Sequence, residues 1–170
     1  MKLELKDGTI IEKEIGITGL ELANSLSKSL AKEAIALKVN GELKDLSLPL
    51  ENDAKVEIIT KNDSEALDIL NHSTAHLLAH AVMELYPDSQ LAFGPSIEEG
   101  FYYDIMFKEP ISENDFPKIE KKMHELANKA IKIERVLLTK DEAKQMFKDQ
   151  KFKLDHLNDI EDPITAYKQD

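Results

Sequence analysis

Two dipeptides, Asp7-Gly8 and Asn40-Gly41, sit between runs of alternating apolar and polar residues within the first 60 positions. Such pairs accept the left-handed backbone that a two-residue hairpin needs, so each predicts a hairpin. Between them, Thr18 and Glu21 have the spacing of a capping box. They open a helix that carries Leu22, Ala23, Leu26 and Leu30 inward. In the second hairpin Ile35, Leu37 and Val39 share one face, and "KVEIIT" supplies a last strand. Hairpin, helix, hairpin and strand predict a small β-grasp sheet with its helix across one face. This stretch holds no histidine, no cysteine and no glycine-rich phosphate loop, so nothing in it points to catalysis.

The texture changes after the polar joint "TKNDSEA", residues 60–66. A helix over about 64–86 is followed by "LAFGPSIEEGFYYDIMF", which reads as strands around Gly-Pro and Glu-Glu-Gly turns. A second helix is predicted over 112–130, with Phe116, Ile119, Met123, Leu126 and Ala130 three and four apart. "IKIERVLLT" reads as a strand, and Thr139 with Glu142 forms another capping box. Strands and helices do not alternate regularly enough for a parallel sheet, so the class is α+β. Two domains are expected, residues 1–61 and 62–170. Residues 154–170 carry a net charge of −4 and include Pro163, which predicts a loosely held tail.

No apolar run approaches the roughly 18 residues of a membrane span, and the N-terminus lacks the apolar core of a signal peptide. There are no cysteines, which removes disulfides, thiolate ligands and thiol nucleophiles together. The expectation is a cytoplasmic protein with no membrane partner. A net charge of −11 argues against indiscriminate nucleic-acid binding. Yet residues 118–153 hold 11 basic against 6 acidic side chains. That stretch is either a solvated helix face with pairs such as Glu125–Lys129 or a surface that meets phosphate.

Three of the five histidines, His72, His76 and His80, recur every fourth residue in "LNHSTAHLLAHAVMELY". At about 100° per residue they lie within one sector, while Leu67, Leu70, Leu77, Leu78, Ala81 and Leu85 gather on another. The histidines are therefore expected off the core face, His80 as an ordinary surface or pocket-lining side chain. Two histidines at this spacing can share a zinc ion, but Ser73 stands where a metalloprotease helix has its glutamate. His80 is about 12 Å along the axis from His72, too far to join it on one ion. No nucleophile elbow appears for a serine triad. Metal-free hydrolysis, with a neutral imidazole holding or deprotonating water, remains alongside the zinc reading.

"HSTAHLLAHAVMELYP", then "LAFGPSIEEGFYYDI" and "KKMHELANKAIKIERVLLTKDEAKQMF", resembles the proofreading domain of the bacterial threonyl-tRNA synthetase family. Residues 1–60 are similar to the TGS domain, the ubiquitin-like module at the start of that family. Together the two likenesses cover the whole chain. The resemblance implies a ubiquitin-like β-grasp domain followed by a two-layer α+β editing domain that hydrolyses serine wrongly esterified to threonine tRNA. Serine is threonine minus one methyl, worth only about 1–3 kcal/mol of discrimination, so a hydrolytic second sieve is needed. The resemblance gives His72 and His76 to the pocket, His72 close to the catalytic water. It gives Gly94 and Tyr103 to the substrate wall. Lys153, in "KFKLDH", matches the family's catalytic lysine, a cation suited to a developing oxyanion.

The family's pocket also has a C-x-x-x-H element, which this chain does not contain. The expectation is an N-terminal fragment with a half-built editing site and poor activity of its own. It further implies that ATP, magnesium and zinc serve a synthetic core elsewhere in the parent enzyme, with no cofactor or metal in this part. The parent would be a homodimer through that core. The expected partners are the acceptor end of threonine tRNA and its seryl or threonyl ester. The rival readings are a non-catalytic RNA-binding or regulatory module built from the same folds, and a stand-alone zinc hydrolase.

Overall fold

The computed structural model describes residues 1–169. It divides into two compact units, Met1–Ile69 and a second that begins at Leu70.

In the first unit, β1 (Lys2–Leu5) and β2 (Ile10–Glu12) form an antiparallel hairpin. The connection is not the two-residue loop expected around Asp7-Gly8. Leu5 N–H donates to the Thr9 carbonyl at 2.8 Å, and Gly8 N–H to the Leu5 carbonyl at 2.9 Å. That closes a three-residue loop whose last position, Gly8, takes φ +84. The capping box forms as expected, with Thr18 and Glu21 exchanging hydrogen bonds at the start of α1 (Gly19–Leu26). The helix then breaks. Ser27 is extended, and its side chain accepts from Ser29 and Leu30 N–H to cap a separate α2 (Lys28–Glu33). Leu22 and Ala23 are fully buried as expected. Leu26, one residue from the break, is exposed and Leu30 only half-buried.

Two further strands, β3 (Ala34–Val39) and β4 (Glu42–Lys44), pair across Asn40-Gly41, both left-handed at φ 50 and 90. This is the hairpin turn expected there. The last strand, β5 (Ala54–Thr60), runs parallel to β1 and antiparallel to β3, giving the order β2-β1-β5-β3-β4. The unit is a β-grasp fold. Leu3, Leu22, Leu37, Leu50 and Val56 fill its core. Each such side chain contributes about 1.5–3 kcal/mol by leaving water.

The unit boundary falls within the long helix α3 (Ala66–Leu85). Beyond it, β6 (Gln90–Leu91) pairs with β9 (Ile105–Met106) around an inner hairpin of β7 (Ser96–Ile97) and β8 (Gly100–Phe101). A single 3₁₀ turn, Glu113–Asp115, leads into α4 (Phe116–Asn128), with Pro117 in its first turn. Ile119 and Leu126 are buried as expected. Phe116 is exposed, however, and Ala130 lies past the helix end at φ 48.

Next come β10 (Ile133–Leu138), α5 (Lys140–Met146) behind the Thr139–Glu142 capping box, α6 (Lys151–Leu157) and β11 (Ile164–Gln169). The sequence expectation of a loose tail over 154–170 does not hold for the described residues, and Asp170 lies outside them. β11 pairs antiparallel with β10 over six residues. Ile164 is buried with Ala143 and Leu157. One buried isoleucine at the strand start and six paired positions outweigh the acidic run before them.

Candidate active site

Helix α3 positions the histidines, and its buried face is only partly the predicted one, with Ala81 buried as expected. Ala75, Ala79, Ala81 and Val82 are the buried residues of its second-unit part, whereas Leu67 and Leu70 are exposed. Alanines let a neighbouring backbone come close, so a stripe at i, i+4, i+7 packs where the bulkier leucines do not. That stripe runs beside the histidines rather than opposite them. His76 is accordingly half-buried, and His72 stays exposed.

The two imidazoles touch. Nε2 of His76 lies 3.1 Å from Nε2 of His72, and the rings meet edge-on at 4.7 Å between centroids and 82° between planes. In the neutral pair one Nε2 carries a proton and the other offers a lone pair. Burial pushes the His76 pKa down, and the charges of His72 and Lys153 push it further. His76 is therefore neutral near pH 7.

Lys153 projects from α6. Its ammonium sits 5.2 Å from the centre of the Phe147 ring, and burial lowers its pKa. Its charge is the smallest of the influences that lower the His76 pKa.

Gly94 and Tyr103 form a second contact. Backbone bonds from Ala92 N–H to the Asp104 carbonyl and from Asp104 N–H to the Phe93 carbonyl extend the β6–β9 pairing. They lay the Tyr103 ring flat over Gly94, where a Cβ would stand 2.4 Å from a ring carbon. Only glycine fits there. Tyr103 also lines an apolar cavity of about 420 Å³ with Leu78, Val82, Ile119 and Met123. Burial raises its phenol pKa. Among the described residues, no hydrogen bond or ring contact joins Tyr103 to the histidines. Its neighbour Tyr102 is exposed.

His80 lies outside this cluster. Its Nδ1 is 3.2 Å from Gln169 Oε1, which ties α3 to β11, and its Nε2 is 3.5 Å from Glu84 on the same helix. On α4, Lys122 pairs with Glu84 at 3.1 Å and with Glu125 at 3.4 Å. Among the described residues Glu125 thus pairs one turn back and not with Lys129. Lys121 and Lys129 are exposed.

Tyr167 belongs to the site and was not singled out from the sequence. Its ring centroid is 6.5 Å from that of His76. The alternation in "ITAYKQ" was a usable signal, masked by the acidic run and Pro163 just before it. Among the described residues no group of three or more His, Asp or Glu side chains is arranged to hold a metal ion. Among the described residues no helix is long and apolar enough to cross a membrane.

Residues 1–60 match the family model of the TGS domain. Over 99% of its length the chain is 47% identical to the threonine–tRNA ligase of Hyphomonas neptunium. The chain is a relative of the threonine–tRNA ligases. The threonine–tRNA ligase of Desulfatibacillum aliphaticivorans is 42% identical over 99% of the chain. The Staphylococcus aureus ligase is likewise 42% identical over 99% of the chain. The chain spans about a quarter of the length of these curated relatives, 26%, 27% and 26% in that order. The TGS match coincides with the β-grasp sheet, and the histidine helix lies in the part of the ligase likeness beyond it.

Proposed function

We propose that this chain serves a threonine–tRNA ligase as its proofreading region, hydrolysing serine esterified to threonine tRNA. The observation that carries the reading is the pair of facing imidazoles, His72 and His76, held within reach of the Lys153 charge. The parent charges threonine tRNA using ATP, in a cytoplasmic setting, and the acceptor end of the tRNA brings the ester here.

The pair can hold water as a unit. A water that replaces the direct Nε2–Nε2 contact, with the rings moving apart, donates to the bare Nε2 and accepts from the protonated one. We assign the accepting nitrogen to His72, the solvent-exposed member, with His76 orienting it. The water oxygen bonds to the ester carbonyl carbon as its proton passes to His72. The bond from that carbon to the ribose oxygen then breaks, and the leaving oxygen takes the proton back. Lys153, when protonated, offsets the charge that gathers on the carbonyl oxygen. Gly94 and Tyr103 form a tight wall suited to a small side chain.

In the longer ligase, His72→Ala is expected to release seryl-tRNA while threonine attachment continues. An equal loss of charging would make His72 a structural residue and sink the reading. The rival, a non-catalytic RNA-binding module, predicts unchanged serine misincorporation in the same variant. If the basic stretch meets tRNA, neutralising Lys121 and Lys129 together will flatten the salt dependence of tRNA binding. An unchanged slope returns both to a solvated face.

A further inference from the structure

His80 does not join the imidazole pair, yet it lies one turn beyond it on α3. Four residues advance a helix by about 6.0 Å, and two residues advance a strand by about 6.8 Å. His76 and His80 are four apart on α3, while Tyr167 and Gln169 are two apart on one face of β11. The two spacings match, and the side chains meet rung for rung. The Tyr167 ring stands 6.5 Å from that of His76, and Gln169 Oε1 lies 3.2 Å from His80 Nδ1. Beside the second rung is a cavity of about 270 Å³, lined by Leu77, His80, Leu126, Ile133 and Gln169 among others. Apolar packing therefore leaves a gap where this end of β11 approaches α3, and the hydrogen bond bridges it. His80 is steadied from its other side. Its Nε2 is 3.5 Å from Glu84, which Lys122 on α4 holds at 3.1 Å.

We propose that His80 is a positioning residue for the imidazole pair: through Gln169 it sets the end of β11 so that Tyr167 covers His76. Its effect on catalysis rests on the hydrolytic reading, whereas the ladder between α3 and β11 does not. The Gln169 amide can turn either its oxygen or its NH2 group to Nδ1, so the tie serves neutral and charged His80 alike. Tyr167 carries the consequence. Its ring shields one side of His76, which is half-buried while His72 is exposed. Burial is the largest influence holding the His76 pKa down. If the cover lifts, water reaches His76 and its protonation becomes easier. A cationic His76 then opposes the imidazolium that His72 becomes on taking the water proton.

The experiment follows the His76 and Tyr167 rings by NMR through a pH titration of the whole chain. His80→Ala should raise the pH at which His76 titrates and weaken the cross-relaxation between the two rings. Gln169→Leu makes the same cut from the strand side and should do the same, which keeps the test open should His80→Ala disturb α3. Tyr167→Ala should also raise the His76 titration, and adding His80→Ala to it should add nothing. His80→Asn keeps a polar atom where Nδ1 stands and should restore both signals. His80→Gln keeps one where Nε2 stands and should not. In the longer ligase, His80→Ala should slow the removal of serine about tenfold to a hundredfold, with threonine attachment unchanged. An unmoved His76 titration in both His80→Ala and Gln169→Leu would overturn the proposal. So would a His80→Ala shift that persists without Tyr167, or a failure of asparagine to rescue. The hydrolytic reading fails separately, if His72→Ala leaves serine removal unchanged while the ring signals behave as expected.

Discussion

The two units solve the problem of burying a core in different ways. The first closes a five-stranded sheet under two short helices, with Leu3, Leu22, Leu37 and Ile59 at or near zero exposure. In the second, the described residues form only two-stranded pairings, and alanines make up much of the buried set. Phe93, Met106, Phe116, Ile133, Leu137 and Tyr167 stay exposed there. The contrast follows chemistry. The β-grasp unit carries no candidate catalytic group and can spend its large side chains on packing. The second unit holds imidazoles, an ammonium and a tyrosine near water, and its aromatic residues line surfaces more than they fill a core.

Core truncation should separate the units most strongly. Leu37→Ala is expected to cost about 2–5 kcal/mol in urea unfolding, because Leu37 is enclosed on all sides. Leu137→Ala, the same chemical change on an exposed strand position, should stay within about 0.5 kcal/mol. Comparable losses would break the comparison, since Leu137 would then be covered in solution.

The Gly94–Tyr103 contact tests whether the second unit is tight where it matters. Gly94→Ala should cost about 1–3 kcal/mol, since the added methyl overlaps the ring. Near-ultraviolet circular dichroism should report the displaced tyrosine, with the first unit unaffected. Adding Tyr103→Ala should recover part of the loss. If Gly94→Ala is neutral and the tyrosine signal unchanged, the wall is looser than its geometry.

Helix caps should affect both units alike. Thr18→Ala and Thr139→Ala each remove a reciprocal cap and should cost about 1 kcal/mol. Hydrogen exchange should localise the first to α1 and the second to α5. A spread of either effect across both units would mean that they unfold together.

The smallest effect concerns protonation. The folded pKa of His76 is lowered from 6.5, so below that value the unfolded chain binds more protons. The stability tied to this group is full above pH 6.5 and is lost as pH falls from there toward the folded value. Lys153→Met removes one of the charges that lower it, so the His76 ring should titrate at higher pH by NMR. An unmoved titration would show that the Lys153 charge does not reach it.

Features governed by near neighbours were legible in the sequence. Both capping boxes and the Asn40-Gly41 turn depend on residues within four positions, and each formed as expected. The TGS domain and the ligase likeness were legible from composite motifs. Part of what escaped was local as well, such as the three-residue loop at Asp7-Gly8, and part depended on partners far along the chain. The break at Ser27 arises because its hydroxyl caps a new helix, although the leucine periodicity runs straight through it. The buried stripe of α3 was misjudged because alanines carry little weight in a hydrophobic pattern but permit close packing. Strand β11 depends on pairing with β10, some 30 residues earlier, as in Arg135↔Tyr167. For the same reason Tyr167 was missed at the candidate site while His72, His76 and Lys153 were named.

The strand order of the first unit sets a schedule for its synthesis. Leu3 lies beside Ala54 in the middle of the sheet, so the first strand made must wait for the last. At about 5–20 residues per second, the ribosome needs roughly 3–10 s to supply the intervening chain. During that interval Leu3 and Leu5 have only the β2 hairpin for shelter, and an isolated hairpin is marginal in water. The sheet therefore closes late and all at once, when β5 slots between β1 and β3. A pause in translation before β5 has left the ribosome would prolong the exposed state, while a later one would not.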